Sequence, residues 1–476
     1  MTRLARLEDV PASRRPGYVP EAHGVGIVHL GLGAFHKAHQ ADYTDRALAA
    51  SGGDWRILGV SLRSPKAAEE IGPQNGLYTL VVREPAATTG RVIGAIASAL
   101  CSAGDPEPAL AAMVGVSCRI VSLTVTEKAY GLDRANRACD PSHPAVAADL
   151  LAPRRPQGVL GLLVEALRRR REAGTAPFTV LCCDNLPENG ALVRAATIDF
   201  ARRVEPSLGG WIEAEVAFPS TMVDRITPAS TAATLAAAEA LTGLVDLAAV
   251  ETEPFTQWVI EDRFPLGRPD WGAAGAIFAD DVAPFEAMKL RMLNGSHSML
   301  AYAGFHAGLR CVRDVMADPA LSRLVRRHLT AAAATLPPMP GIDLGRYADE
   351  LATRFANPAI AHETFQIAMD GSEKLPQRIF AAVPYATDLR PFAFATAAWL
   401  RHVSGRSHDG PAYVLRDPRA EALTAAAARG TDAAALYDAV SALVPIPAPL
   451  RAETVPLLDA MLSRPMAEVI RDEAGR

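Results

Sequence analysis

Long hydrophobic runs are what this sequence most plainly lacks. No stretch approaches the ~18 uninterrupted apolar residues a membrane-spanning helix needs. The richest candidate, "LTAAAATLPPMPG" (329–341), is too short and ends in prolines. The opening "ARLEDVPASRRPGYVPEAHG" holds no apolar core of signal-peptide length, so a cytoplasmic protein without a membrane partner is expected. An excess of one charge is also missing. With 48 Lys+Arg against 53 Asp+Glu the net charge is −5, and no dense basic run gives nucleic acid a surface to bind. Cysteine is sparse: six residues (101, 118, 139, 182, 183 and 311) without a CxxC pair. Cys182 and Cys183 point to opposite faces if they lie on a strand, so they cannot share a metal. HExxH and zinc-spaced His/Cys clusters are missing too, and nothing asks for a metal.

What is there suffices for two domains with proper cores: 476 residues, 49% of them hydrophobic. The first half alternates strand and helix patterns. "GIVHLGLG" (26–33) reads as a buried strand and glycine turn, "AFHKAHQADYTDRALAAS" as one helix, and "DWRILGVSL" (54–62) as the next strand. "LYTLVVRE" and "RVIGAIAS" read as an added strand pair. "RIVSLTVTE" (119–127) and "FTVLCCDN" (178–185) flank the helical "QGVLGLLVEALRRRREAG". Such alternation predicts an α/β fold, a Rossmann-type, mainly parallel sheet with helices on both faces. From about Pro284 the strand signals stop and Ala/Leu-rich helical segments follow, broken at "LPPMPGID", "NPAI" and "VPIPAPL". The predicted organisation is an α/β domain over 1–283 and a mostly α-helical domain over 284–476.

"HLGLGAFHKAH" places Gly31 and Gly33 at the end of the first strand. A dinucleotide site needs a tight turn there, with backbone close to a pyrophosphate at the start of the next helix. Gly31, Leu32, Gly33, Ala34 and Phe35 form the candidate cofactor turn. His36 stands where the third glycine of GxGxxG is expected. After the second strand, where an acid usually meets the ribose 2′-hydroxyl, "VSLRSPKAAEE" offers Arg63, Ser64 and Lys66. Glu69 and Glu70 come later and read as solvated helix positions. NAD is the expected cofactor, and NADP stays open because a base there equally suits a 2′-phosphate.

"KLRMLNGSHSML" (289–300) sets a lysine, an asparagine and a histidine among apolar residues, either as satisfied or exposed decoration or as a reaction site. On a regular helix Glu286, Lys289, Leu293 and His297 fall within roughly an 80° arc. An ion pair of Glu286 with Lys289 and a core role for His297 are the plain alternatives. The position of this stripe at the predicted domain junction, and the poor helix former Asn294 beside it, point to chemistry. Hydride transfer without a metal needs a base for the alcohol proton and donors for the developing oxygen charge. A lysine whose pKa is lowered by burial can be the base, and amides such as Asn294 and Asn185 the donors. Asn189–Gly190 reads as a turn.

These residues carry a resemblance. The blocks "GIVHLGLGAFHKAHQADYTD", "VSLTVTEKAYG", "CDNLPENG", "FPSTMVDRITP", "EPFTQWVIEDRF", "KLRMLNGSHSMLAY" and "MDGSEKLPQR" run in order through most of residues 24–380. The chain resembles the polyol-specific long-chain dehydrogenases, the group of mannitol 2-dehydrogenase and fructuronate reductase. The resemblance implies metal-independent, NAD-linked oxidation of a secondary alcohol on a small polyol or sugar acid, in a monomer or small homo-oligomer. It implies Lys289 as general base, Asn185 and Asn294 as the oxyanion pocket, His297 on a substrate hydroxyl and Glu286 as proton relay. Lys374 would hold distal hydroxyls, and Val223 and Asp224 would line the nicotinamide and substrate region. Two departures lean towards fructuronate reductase. Gln366 stands where mannitol enzymes carry an arginine, and "TEKAY", with Lys128, replaces "TEGGY". Lys128 or Arg378 would then pair with a substrate carboxylate, which a neutral hexitol does not carry. D-mannonate and D-fructuronate are thus the expected pair, with mannitol and fructose the alternative. A non-catalytic sensor on the same fold could dispense with the lysine or both asparagines; all three are present.

Overall fold

The computed structural model describes residues 2–339, 341–360, 362–406 and 412–476, and the chain divides into two units, Met1–Ala283 and Pro284–Arg476. Among the described residues the first unit holds thirteen strands: β1 (Val25–Leu30), β2 (Arg56–Ser61), β3 (Tyr78–Arg83), β4 (Thr88–Ile93), β5 (Ile96–Cys101), β6 (Ile120–Leu123), β7 (Leu132–Asp133), β8 (Ala138–Cys139), β9 (Thr179–Cys182), β10 (Thr221–Asp224), β11 (Val250–Thr252), β12 (Gln257–Glu261) and β13 (Ile277–Ala279). Five of them form the main sheet in the order β5-β2-β1-β6-β9, and every neighbouring pair is parallel. Strand order therefore reverses at β1, the place where doubly wound sheets open a ligand crevice. The strands are short, apolar and rich in Val and Ile because both faces are covered. The two-residue period divides them. Val28, Leu30, Val121, Leu123, Val180 and Cys182 enter one core layer; Ile27, Ile57, Ile120, Leu181 and Cys183 enter the other. Cys182 and Cys183 do face opposite ways, and all six cysteines are free thiols.

Three expectations of the first unit need correction. The helix after the glycine turn breaks into Ala34–Ala38 and Gln40–Ser51, because His39 leaves helical geometry at φ −118°, ψ −87°. "RVIGAIAS" is not one strand of an added pair. Its first residues end β4, antiparallel to β3, whereas Ile96 onward starts β5, which pairs with β2 in the main sheet. Asn189 is not a turn residue; it opens the helix Asn189–Val204 and is fully buried.

The second unit is helical. The helix Pro319–Ala333 shows the local logic: Asp318 caps it by accepting from the Ala320 and Leu321 amides at 2.9 Å, and Pro319 occupies its first position. Leu321, Leu324, Val325, His328 and Leu329 recur at helical spacing and are buried. The helix Gly295–His306 is buried on most of its surface and packs against Pro319–Ala333, Thr364–Ile367 and Arg390–Val403. Among the described residues no helix is long and apolar enough to cross a membrane.

Candidate active site

In the first unit a cleft of about 830 Å³ opens over the C-terminal ends of the parallel strands, within the range of roughly 300–1,000 Å³ common for ligand pockets. Gly31 makes the turn after β1 with φ +101°, and a Cβ there would lie 2.2 Å from the Thr124 carbonyl oxygen. Its amide and that of Leu32 donate to Val60 O at 2.8 and 3.1 Å, locking the turn to the end of β2. Gly33 is exposed, and a Cβ there would meet nothing closer than Gly31 O at 3.7 Å. The turn thus leaves room for a ligand to approach the backbone, which fits a dinucleotide pyrophosphate. Gly31, Leu32, Gly33, Ala34 and Arg63 line the cleft. Phe35 instead stacks on His39, with ring centroids 5.0 Å apart, and Val223 is buried in β10; neither lines the cleft.

His36 explains how the third glycine is dispensed with. That glycine normally lets helix and strand approach closely. Here the flat His36 ring lies on His29 of β1 at 3.4 Å and 15°. His29 is held by Ser122 Oγ at 2.8 Å and Thr124 Oγ1 at 2.9 Å, and burial pushes its pKa down to about 3, so both rings pack as neutral plates.

At the end of β9, Asp184 accepts from the Val125 and Thr126 amides at 3.0 and 3.1 Å and from the Tyr130 hydroxyl at 2.7 Å. Burial raises its pKa, against these hydrogen bonds. Asn189 donates to Asp184 O and Thr221 O at 3.0 and 2.9 Å and accepts from the Thr221 amide at 2.9 Å. Asp184 and Asn189 fix the loop that carries Asn185, tying the ends of β6 and β9 to the start of β10. The sequence reading missed both. Their signal was the density of Asp and Asn after a buried strand. Lys37 was also missed: it is buried against the cleft and donates to Ala248 O at 2.8 Å. Asp224 is buried on β10, and Lys128 is exposed on a short turn at Glu127–Ala129.

The second unit holds the other predicted residues. Lys289–Asn294 is a π-helix of six residues between the α-helices Ala283–Met288 and Gly295–His306. The Gly295 amide reaches back five residues to Leu290 O. This corrects the regular-helix arc. At about 100° per residue Lys289 and Asn294 would stand about 140° apart. The wider turn brings positions five apart towards one face, a distortion that recurs at functional sites. Lys289, Asn294 and His297 are buried; Glu286 is half-buried. The Asn294 side-chain amide nitrogen has no hydrogen-bond partner among the described residues. Gly295 permits a close approach, since a Cβ there would lie 2.9 Å from Arg378 O.

That approach sets the helix Gly371–Arg378 beside the π-segment. Its Arg378 donates to Ser298 Oγ at 3.2 Å and has no ion pair among the described residues; burial pushes its pKa down to about 10. Lys374 donates to Met369 O at 2.7 Å and lies 3.5 Å from Asp370, and burial with the nearby Arg378 lowers its pKa. His297 packs on Phe355 at 4.5 Å and edge-on to His362 at 5.5 Å. Burial, then His362, Arg378 and Arg354, push its pKa well down, so it is a neutral imidazole. Gln366 is exposed on Thr364–Ile367.

The family models for the mannitol dehydrogenase Rossmann domain and the mannitol dehydrogenase C-terminal domain match residues 25–273 and 281–442. The chain belongs to the mannitol dehydrogenase family. It is 46% identical to the uncharacterized oxidoreductase YeiQ of Escherichia coli K12 and 44% identical to the D-mannonate oxidoreductase of the same strain, each match covering 82% of both chains. The mannitol 2-dehydrogenase of Pseudomonas fluorescens, solved as a ternary complex with NAD and D-mannitol, superposes with a TM-score of 0.84 at 35% identity, covering 100% of this chain and 99% of that one. Like its family, the protein is an NAD-dependent oxidoreductase with a Rossmann domain and a helical C-terminal domain. No group of three or more His, Cys, Asp or Glu among the described residues is arranged to hold a metal.

Proposed function

We propose that this member of the mannitol dehydrogenase family interconverts a sugar acid and its keto form, with D-mannonate and D-fructuronate as the pair. NAD supplies the two-electron acceptor when bound in the first unit's cleft. The chain's residues manage the proton and the oxygen. In the second unit Lys289 takes the proton of the secondary hydroxyl, and Asn294 donates its unpaired amide to the oxygen as its charge develops. The family resemblance implies an amide-donor role for Asn185 as well. Glu286 relays the proton, and His297, neutral, accepts or donates to a neighbouring substrate hydroxyl. Lys374 holds further hydroxyls, and the family resemblance implies a substrate role for Asp224.

The observation that supports an acid over a neutral polyol is Arg378. Its guanidinium has five N–H donors, and the described residues give it one hydrogen bond and no ion pair, with Asp370 acting on it only from a distance. Lys374 adds a second cation nearby, already committed to Asp370. Desolvated cations of this kind gain most from a bidentate carboxylate. Lys128 is the lesser candidate, being exposed and without an ion pair among the described residues.

The test is NADH consumption by purified protein with D-fructuronate and D-fructose side by side. A kcat/KM at least 100-fold higher for fructuronate is expected. A preference for fructose would overturn the sugar-acid reading and favour mannitol as the reduced partner.

A further inference from the structure

The edge of the first unit's cleft beyond β2 lacks the feature that an NAD-restricted site needs. In a doubly wound fold the residues following the second strand face the adenosine ribose, where a carboxylate accepts from the 2′-hydroxyl and rejects a 2′-phosphate. β2 lies beside β1 with Leu30 opposite Val60, so Leu62, Arg63 and Ser64 emerge at the rim where Gly31 turns. None of them is acidic. Arg63 is exposed and has no hydrogen bond or ion pair among the described residues. Ser64 accepts from the Lys66 amide at 3.3 Å, which leaves its hydroxyl hydrogen to donate.

Glu70 is the one carboxylate on the cleft wall among the described residues, and it is not free for a ribose. It lies on the helix Lys66–Ile71, half-buried, paired with Lys66 at 3.7 Å. This corrects its reading as a solvated position. Counting Lys37, Arg63 and Lys66 against Glu70, the wall carries three cations and one anion. Lys37 is spent on Ala248 O and Lys66 on Glu70, so Arg63 is the cation left over.

We propose that Arg63 and Ser64 form a 2′-phosphate subsite, so that the enzyme takes NADP(H) as well as NAD(H). The guanidinium supplies a bidentate face and the serine hydroxyl a further donor, the usual chemistry for a phosphate monoester. The subsite belongs to cofactor binding alone and stands whichever sugar is the substrate.

The test is calorimetric titration of the full chain with adenosine 2′,5′-bisphosphate and with 5′-AMP at one salt concentration. The two probes differ only by the 2′-phosphate. The bisphosphate is expected to bind roughly 10- to 100-fold more tightly, the range of a charge-assisted contact. Arg63→Ala should shrink that ratio to under threefold, and Arg63→Lys should keep part of it. Lys66→Ala removes the same charge from the same wall and controls for its general field; it should change the ratio by less than threefold. The proposal is overturned if 5′-AMP binds as tightly as the bisphosphate. It is overturned equally if Arg63→Ala leaves the ratio intact, or if Lys66→Ala lowers it as much as Arg63→Ala does.

Discussion

Around the glycine turn of the first unit, several buried polar groups are held by partners, although both ring nitrogens of His36 and both amide atoms of Gln40 have none among the described residues. His29 is held by two hydroxyls, Asp184 accepts three hydrogen bonds, Asn189 is bonded on both ends of its amide, and Lys37 is committed to a carbonyl. In the second unit, among the described residues, Asn294 has an unpartnered amide nitrogen and Arg378 a single hydrogen bond. The first set braces a turn that leaves backbone open to a ligand. On the proposed function, the second is a set of buried donors whose desolvation a substrate's oxygens would help to offset. On that same proposal, one unit meets the cofactor through main chain and the other meets the substrate through side chains.

The largest effect should come from breaking the substrate half alone. Lys289→Ala is expected to lower kcat by at least about 10³-fold, the upper part of the range for a lost general base. NAD affinity, a first-unit property, should stay within threefold by fluorescence titration. Near-normal turnover would sink the assignment of the base.

The converse change is Gly31→Ala. Its φ of +101° and the 2.2 Å approach to Thr124 O leave a Cβ no space, so a loss of about 3 kcal/mol or more in stability is expected, with NAD binding. Gly33→Ala, where the nearest atom is 3.7 Å away, should cost under about 1 kcal/mol. Thermal denaturation of both variants decides the matter; equal losses would mean that turn geometry is not what distinguishes the two positions.

Arg378→Ala sharpens the substrate side. A carboxylated sugar should lose about 10- to 100-fold in kcat/KM, and a neutral polyol less than threefold. Equal losses would make Arg378 a packing residue.

Acid tests both units at once. Burial holds His29 and His39 of the first unit at about 3, and His328 and His402 of the second at about 4, against 6.5 for a free histidine. Folded values below the unfolded one mean that the unfolded chain binds more protons as pH falls. The contribution is therefore present above pH 6.5 and is lost towards pH 4, at up to about 1.4 kcal/mol per pH unit for each histidine. Tm should fall steadily from pH 7 to 5. A flat Tm over that interval would show that these rings are not held neutral.

How much of this was legible varies with the range of the interactions. The β1 turn was readable because Gly31 and Gly33 act within four residues, and the parallel sheet because alternating runs leave few alternatives. The division of "RVIGAIAS" between two sheets was not, since its residues suit a strand in either and only β2 decides where Ile96 pairs. Asn189 showed the same limit. Next to a glycine it imitates a turn, and its partners at Thr221 lie thirty-two residues away. Lys289, Asn294 and His297 could be picked out as polar residues in an apolar stretch, but their relative facing could not, because a π-segment leaves no mark in hydrophobic periodicity.

By itself the sequence determined what depends on residue type and near neighbours: the alternating first half, the helical second half, the glycine turn, and the lysine and asparagines of the family blocks. The tertiary structure decided which polar groups found partners. Hydrogen bonding and burial join residues far apart in the chain, so only the fold could leave Asn294 and Arg378 short of partners, satisfy Asp184 and Asn189, and strand Arg63 at the rim of the cleft as its one uncommitted cation among the described residues.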